Sequence, residues 1–139
     1  MFRGELWAVG GVDVVGNLPS CERLDPASNQ WVPGPTMTVG RSEFGLAVFR
    51  DQLWAAGGGE DIASCEYLDG VTNTWMVGPA FASPHYFGLL RLVVVNGQLW
   101  AWDTCGLVEC LDPLTNTWVV EGPVFPRTDF FPAFCVVTK

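Results

Sequence analysis

One stretch of sequence decides the fold, and it reads Cys65-Glu66-Tyr67-Leu68-Asp69-Gly70-Val71-Thr72-Asn73-Thr74-Trp75. Its two other copies are Cys21-Glu22-Arg23-Leu24-Asp25-Pro26-Ala27-Ser28-Asn29-Gln30-Trp31 and Val108-Glu109-Cys110-Leu111-Asp112-Pro113-Leu114-Thr115-Asn116-Thr117-Trp118. The closing tryptophans recur at nearly equal spacing, and a Gly-Pro pair follows each, at Gly34-Pro35, Gly78-Pro79 and Gly122-Pro123. Copies in register at a fixed period identify a repeat protein.

Each unit also divides into four strand-length pieces. An apolar segment such as Arg41 to Phe49 comes first, and a two-residue turn, Arg50-Asp51 or Asn96-Gly97, joins it to a Leu-Trp strand. That strand reads Leu6-Trp7-Ala8-Val9-Gly10-Gly11, Leu53-Trp54-Ala55-Ala56-Gly57-Gly58 and Leu99-Trp100-Ala101-Trp102-Asp103 in the three units. The Glu-x-Leu-Asp strand, a tight turn and the Trp strand complete the unit. Four antiparallel strands in about 45 residues predict one propeller blade per repeat.

Composition supports an all-β domain and limits the classes of partner that it can bind. The 139 residues are 49% hydrophobic and 16% charged, and 16 glycines with 10 prolines favour many turns over long helices. The net charge of −8 disfavours nucleic acid and membrane surfaces as partners. The amino terminus does not resemble a signal peptide, so we expect a cytoplasmic protein.

These motifs resemble kelch repeats over essentially the whole chain. The matching features are Gly-Gly after an aromatic strand, Glu-x-x-Asp-Pro, Thr-Asn-x-Trp, and Arg-Ser-x-x-Gly at the start of the next unit. The resemblance implies kelch-type β-propeller blades in a single domain spanning 1–139. Blade one is split between 5–33 and 127–137, blade two covers about 41–77, and blade three covers about 84–120. The third unit has Trp102-Asp103 in place of Gly-Gly and a short following loop, so we expect that blade to be distorted.

Several recurring residues are expected to serve the fold. The Gly-Gly pairs allow positive φ and close backbone approach, and the repeated tryptophans fill the space between blades. We expect one glutamate per blade to bond the backbone or a neighbouring arginine, and one aspartate per blade to cap a turn. These are Glu22, Glu66 and Glu109, and Asp25, Asp69 and Asp112.

Catalysis and cofactor binding find little support. One histidine cannot supply a multi-histidine metal site, and no phosphate-binding glycine loop precedes a helix. The copper radical oxidases that share the kelch fold need two histidines, two tyrosines and a cysteine around copper. We therefore predict no enzyme activity, no metal and no cofactor. The five cysteines favour free, reduced thiols, with disulfides or a metal site as alternatives.

Candidate partner-binding residues are those that vary between repeats or reach the channel mouth. In kelch propellers of the substrate-adaptor type, the arginine that opens the innermost strand contacts acidic ligands, and Arg41 with Ser42 matches that position. Arg127 matches it less closely, and His85 stands near it in the remaining unit. The alternative is that the arginines cap strands or pair with Glu43 and Asp129, and that His85 is a packed polar residue. Two variable loops, 12–19 and 59–64, add Asp13, Asn17, Glu60 and Asp61.

These features predict a protein-interaction scaffold, with an acidic motif in its protein partner. A sugar- or small-ligand-binding propeller and a fragment of a kelch-type enzyme are the alternatives. Propellers need about 4–8 blades to close, so three blades predict either a homodimer that closes a six-bladed ring or a fragment of a larger propeller. In the dimer, 130–137 of one copy would pair with 5–11 of the other.

Overall fold

The computed structural model describes residues 1–83, 85 and 90–122, and within them eleven strands form three antiparallel sheets. Blade one contains β1 (Leu6–Val9), β2 (Cys21–Asp25) and β3 (Gln30–Pro33). Blade two contains β4 (Gly45–Phe49), β5 (Gln52–Ala56), β6 (Cys65–Leu68) and β7 (Trp75–Val77). Blade three contains β8 (Arg91–Val95), β9 (Gln98–Trp102), β10 (Val108–Asp112) and β11 (Thr117–Val120).

The sheet order follows the chain order, so each blade is an up-and-down meander. Blades two and three have the four strands predicted for them. Blade one has three in the described part of the chain, and its expected fourth strand, 130–137, lies outside the described residues. No helix within the described ranges is long and apolar enough to cross a membrane.

Turn chemistry explains where the strands end. Arg50 and Asp51 (φ 49° and 60°) join β4 to β5, and Asn96 and Gly97 (φ 51° and 75°) join β8 to β9. Two consecutive residues with positive φ form the mirror-image turn whose twist matches that of a hairpin. The predicted two-residue hairpins are therefore confirmed.

The three aspartates cap the turn between the last two strands of each blade, as predicted. Each carboxylate accepts the amide two residues further on, namely Ala27, Val71 and Leu114, at 3.0, 2.7 and 2.9 Å. Hydrogen bonds lower the pKa of all three, with Ser28 contributing most to Asp25, the Thr72 amide to Asp69 and the Leu114 amide to Asp112. The asparagine at the end of each turn has a φ of 53°, 56° or 54° (Asn29, Asn73, Asn116).

The hydrophobic core lies between the blades. One cluster joins blades one and two and includes Phe2, Met37, Leu53, Leu68 and Trp75. A larger cluster joins blades two and three, and its members include Trp54, Cys65, Phe81, Leu99, Leu111 and Trp118. Trp75 and Trp118 thus fill the space between blades, as the sequence predicts.

The second Gly-Gly pair is required by close backbone packing. Gly57 and Gly58 have φ values of 75° and 68°. A Cβ on Gly58 would lie 2.1 Å from the carbonyl oxygen of Ser42, and one on Gly57 would lie 2.8 Å from Leu90 Cδ2. Any larger residue at Gly58 would therefore displace the linker between blades one and two, and any larger residue at Gly57 would displace the Leu90 side chain.

Two details differ from the sequence-based expectations. The first strand of blade two begins at Gly45 rather than Arg41, because Glu43 has a φ of 55° and the Arg41 side chain turns inward. Blade three keeps four ordered strands although it lacks the glycine pair. Asp103 takes the place of Gly57, the first glycine of the blade-two pair, and its carboxylate accepts the Cys105 and Leu107 amides at 2.9 and 3.0 Å.

Candidate functional site

Loops from all three blades lie at the same end of their sheets. Because the strands alternate in direction, the loops 10–20, 57–64 and 103–107 and the inter-blade linker 34–44 meet at the same sheet ends. The Gly11 amide donates to the Arg41 carbonyl at 2.7 Å, and the Arg41 amide donates to the Leu18 carbonyl at 3.1 Å. We call this surface the loop face.

Asn17 and Ser42, two predicted partner-binding residues, lie together on the loop face. The Ser42 hydroxyl donates to Asn17 Oδ1 at 2.6 Å, and Asn17 Nδ2 donates to the Gly58 carbonyl at 3.1 Å. Asn17 is exposed and Ser42 is half-buried. The pair ties the loop of blade one to the start of blade two, so it fixes the shape of the surface there.

Arg41 is not part of the accessible surface, which corrects the expectation that it contacts a partner. Its side chain is 0% exposed. Nε and Nη2 donate to Glu66 Oε1 at 3.3 and 3.1 Å, and Nη2 also donates to Ser64 Oγ at 3.0 Å. Nη1 donates to the carbonyls of Gly57 and Ser64 at 2.7 and 3.2 Å. These bonds use all of the guanidinium donors, so none remains for a ligand.

Two of the three repeated glutamates, Glu66 and Glu109, anchor the linkers as predicted, whereas Glu22 is exposed. Glu66 accepts the amides of Thr38 and Val39 at 2.7 and 3.2 Å, in addition to Arg41. Glu109 accepts the amides of Ala82 and Ser83, both at 2.9 Å. Both glutamates are buried, and their carboxylates hold the preceding linker against the blade.

His85 takes the place of Arg41 in the second linker and is also buried. It is 6% exposed, with Nδ1 3.1 Å from Asp103 Oδ2 and Nε2 3.6 Å from Glu109 Oε1. Its ring meets that of Phe81 at 4.6 Å. Like Arg41, it is a packed interior residue rather than a surface contact.

Asp103 owes its ionised state to this cluster. Burial acts to raise its pKa, but hydrogen bonds from His85 and from the Leu107 and Cys105 amides outweigh burial, so the pKa lies below its ordinary value. Asp103 therefore carries a negative charge inside the protein at neutral pH. This residue was not recognised from the sequence, where it marked only the loss of a glycine.

Acidic side chains remain exposed at the loop tips. Asp13, Glu60 and Asp61 are all exposed. The Asp13 carboxylate accepts the amides of Val15 and Gly16 at 2.7 and 3.1 Å. Asp61 caps its own loop by accepting the Ala63 amide at 3.0 Å. Two of the three acidic groups are therefore held in place by their own loops.

The tip of the blade-one loop is apolar, which sequence reasoning missed. Val14 and Val15 are almost completely exposed, and Val12 is 67% exposed. The available signal was three valines, Val12, Val14 and Val15, in a short segment between Gly11 and Gly16. Exposed aliphatic groups on a capped loop form a rigid protrusion that can enter an apolar pocket of a partner.

Arg127 lies outside the described residues, as do Pro84 and Cys135. Among the described residues no cluster of three or more histidine, cysteine or acidic side chains could hold a metal ion. Cys21, Cys65 and Cys110 are free thiols, and burial raises the pKa of Cys65 to about 11.

Comparison with known proteins supports the repeat assignment. The profile described as Kelch motif matches residues 1–38. The chain is similar to Kelch-like protein 5 of Homo sapiens, with 42% identity over 50 residues, which is 36% of this chain and 7% of that protein. It is also similar to Kelch-like protein 35 of Mus musculus, with 39% identity over 61 residues, which is 43% of this chain and 11% of that protein. The similarity thus spans a small part of either relative.

The fold is shared with a solved structure, "Structure of YjhT". The TM-score is 0.68 at 17% sequence identity, and the alignment covers 89% of this chain and 50% of that chain. At this identity the likeness concerns the fold alone. The chain therefore shares its fold with about half of the longer YjhT chain.

Proposed function

We propose that this chain, which is built from kelch repeats folded as β-propeller blades, is a protein-interaction scaffold that binds a protein partner through its loop face. Support comes from the apolar tip at Val14 and Val15, which stands beside Asp13 on a loop that internal hydrogen bonds hold in place. Protein interfaces commonly join a small apolar anchor to a polar rim, and rigid loops lose little entropy on binding.

The charge of the loop face revises the expected partner. Of the two arginines expected to bind an acidic motif, Arg41 is fully engaged inside the chain and Arg127 lies outside the described residues. Asp13, Glu60 and Asp61 give the exposed loops a negative charge, in line with the net charge of −8. We therefore propose a partner with basic residues around an apolar pocket, because opposite potentials speed association and favour the correct orientation.

The test compares two pairs of exposed apolar residues at opposite ends of the blades. The Val14→Ser/Val15→Ser variant should lose a partner captured by the wild-type protein, because its apolar anchor is removed. The control, Val71→Ser/Leu114→Ser, changes equally exposed residues in turns at the other end and should retain that partner. Equal capture by both variants would count against the loop face.

A sugar- or small-ligand-binding role is the second candidate, and one cleft favours it. Arg3, Glu5, Trp7, Arg23 and Asn73 line a space of about 310 Å³. Trp7 Nε1 is buried there without a hydrogen-bond partner among the described residues. An indole ring beside charged and amide groups suits a polyhydroxylated ligand. Glycan-array binding that is lost in Arg23→Ala and kept in Arg91→Ala would support this role.

We also propose that two copies close a six-bladed ring. Three blades are fewer than the roughly 4–8 that a closed propeller requires. The chain's similarity to half of the YjhT chain supports this arrangement. Light scattering should then give a mass near twice 15.2 kDa. A monomer at micromolar concentration would contradict the ring.

The absence of enzyme activity and the cytoplasmic location remain predictions. Buried, reduced thiols such as Cys21 and Cys65 support a reducing compartment. An assay of the purified protein for bound metal and for hydrolase or oxidase turnover tests the first, and cell fractionation tests the second.

A further inference from the structure

One face of blade one is open although the same face of each other blade is covered. The blade-one face consists of Leu6, Ala8, Glu22, Leu24 and Trp31, which register pairing places on one side of the sheet. Leu6 is 51% and Trp31 45% exposed. The equivalent residues of blade two are 0–7% exposed (Leu53, Ala55, Glu66, Leu68 and Trp75), and those of blade three are 0–3% exposed (Leu99, Ala101, Glu109, Leu111 and Trp118).

The covered faces of blades two and three each bind one linker. Each receives the linker of the preceding blade, whose two amides donate to the glutamate. The tryptophan of the face donates its indole N–H to the linker proline carbonyl, from Trp75 to Pro35 at 2.9 Å and from Trp118 to Pro79 at 3.1 Å. One apolar linker residue is buried in each case, Met37 at 3% and Phe81 at 6% exposure. Two linkers of this chain therefore bind to the next blade through the same set of contacts.

The sequence contains a third linker with the same chemistry. Gly122-Pro123-Val124-Phe125 aligns with Gly34-Pro35-Thr36-Met37 and with Gly78-Pro79-Ala80-Phe81. Residues 123–128 lie outside the described residues, so only their sequence enters the argument. Pro126 lacks the N–H that Thr38 and Ala82 donate, but Arg127 follows it with both an amide and a guanidinium.

We propose that the blade-one face is the docking site for linker 122–128 of a second copy of this chain. Glu22 accepts hydrogen bonds from Arg127, Trp31 donates to the carbonyl of Pro123, and Phe125 covers Leu6 and Leu24. Arg127 aligns with Val39 and Ser83, whose amides donate to the glutamates, and its guanidinium supplies a cation as Arg41 does to Glu66. The proposal rests on the six-bladed ring and names the residues that would close it.

The linker of a second copy fits the blade-one face better than the linker of the same copy does. Linker 122–128 follows blade three in the chain, whereas the blade-one face points away from blade two. Within one chain, blades one and two therefore lie between that face and blade three. An exposed tryptophan and leucine beside a carboxylate also match an occupant that brings both an apolar side chain and a cation.

The first experiment is a charge exchange read by light scattering. Glu22→Arg and Arg127→Glu should each weaken dimerisation at least tenfold, because a charge-assisted bond is replaced by repulsion between like charges. The double variant should recover most of the wild-type mass. Glu60→Arg makes the same charge change away from the face and should keep the dimer, and Glu22→Gln provides a milder variant if Glu22→Arg unfolds.

The second experiment separates the docking site from the ring. A synthetic peptide of residues 121–130 is titrated into the wild-type protein and into Glu22→Gln by calorimetry. A dimer whose mass is insensitive to both Glu22 variants would overturn the docking site and leave the ring standing. A wild-type monomer that binds the peptide at least tenfold more tightly than Glu22→Gln does would overturn the ring and support the site. A monomer that does not bind the peptide overturns both.

Discussion

At the scale of single residues, the two linkers place different side chains beside the buried glutamate of the next blade. Arg41 neutralises Glu66 at the first seam, the junction of blades one and two. His85 lies between Asp103 and Glu109 at the second seam, the junction of blades two and three. The Arg41 guanidinium and the carboxylates of Glu66, Asp103 and Glu109 all have hydrogen-bond partners, which is the condition for burying charge at tolerable cost. The Arg41 cluster therefore serves the fold.

Replacing Arg41 with alanine should lower the free energy of unfolding by about 3–5 kcal/mol, because it leaves the Glu66 carboxylate buried without its cation. Urea denaturation measures the loss. Arg91→Ala removes an exposed arginine and should change stability by well under 1 kcal/mol. An Arg41→Ala protein as stable as the wild type would show that the guanidinium is not held as described.

Acid should weaken the second seam through Asp103. Its pKa is lowered in the folded protein from the ordinary 3.8, so its stabilising contribution is present above about pH 4 and is lost as the pH falls through the folded value. The stability difference between wild type and Asp103→Asn should therefore be largest near neutrality and shrink below about pH 4. Urea titrations from pH 7 to 3 measure it, and a difference independent of pH would contradict the assignment.

At the scale of strands and turns, the sequence predicts most of what the structure contains. The hairpins at Arg50-Asp51 and Asn96-Gly97 and the aspartate caps depend on local chemistry, which a sequence displays directly. The orientation of Arg41 does not, because an arginine at a strand end can turn outward or inward. Its direction depends on Glu66, which lies 25 positions away in sequence and reaches it only after the blade has formed.

The Gly57-Gly58 pair offers a test at this scale. Gly58→Ala should destabilise the protein by more than about 2 kcal/mol, because the new Cβ meets the Ser42 carbonyl and φ is positive. Gly97→Ala has a similar φ of 75° but open space around the new Cβ, and should cost about 1 kcal/mol. Chemical denaturation of both variants separates steric from conformational cost, and equal losses would argue against the close approach.

At the scale of the whole molecule, we propose that the blade-one face serves assembly and the loop face serves partner binding. The resemblance to kelch repeats predicted the propeller architecture because repetition makes each seam a copy of the last. It did not predict the valine tip, because loop tips vary without changing the fold. If two copies close one ring, association and folding are linked and stability must depend on concentration.

The melting temperature of the wild-type protein should therefore rise with protein concentration, and that of Glu22→Arg should change little. Calorimetric scans over a hundredfold concentration range provide the measurement. The Val14→Ser/Val15→Ser variant should show the wild-type dependence because its substitutions lie on the loop face. A wild-type melting temperature that is constant over this range would contradict assembly from two copies.

The order of the linkers and glutamates along the chain also affects folding during translation. Linker 34–41 precedes Glu66 in the chain, and linker 78–85 precedes Glu109, so each glutamate is synthesised after the amides that it will bind. A ribosome adding about 5–20 residues per second thus delivers each glutamate after the linker that it binds has been synthesised. Folding can follow translation from blade one towards blade three, and none of these anchoring contacts waits for sequence still to be synthesised.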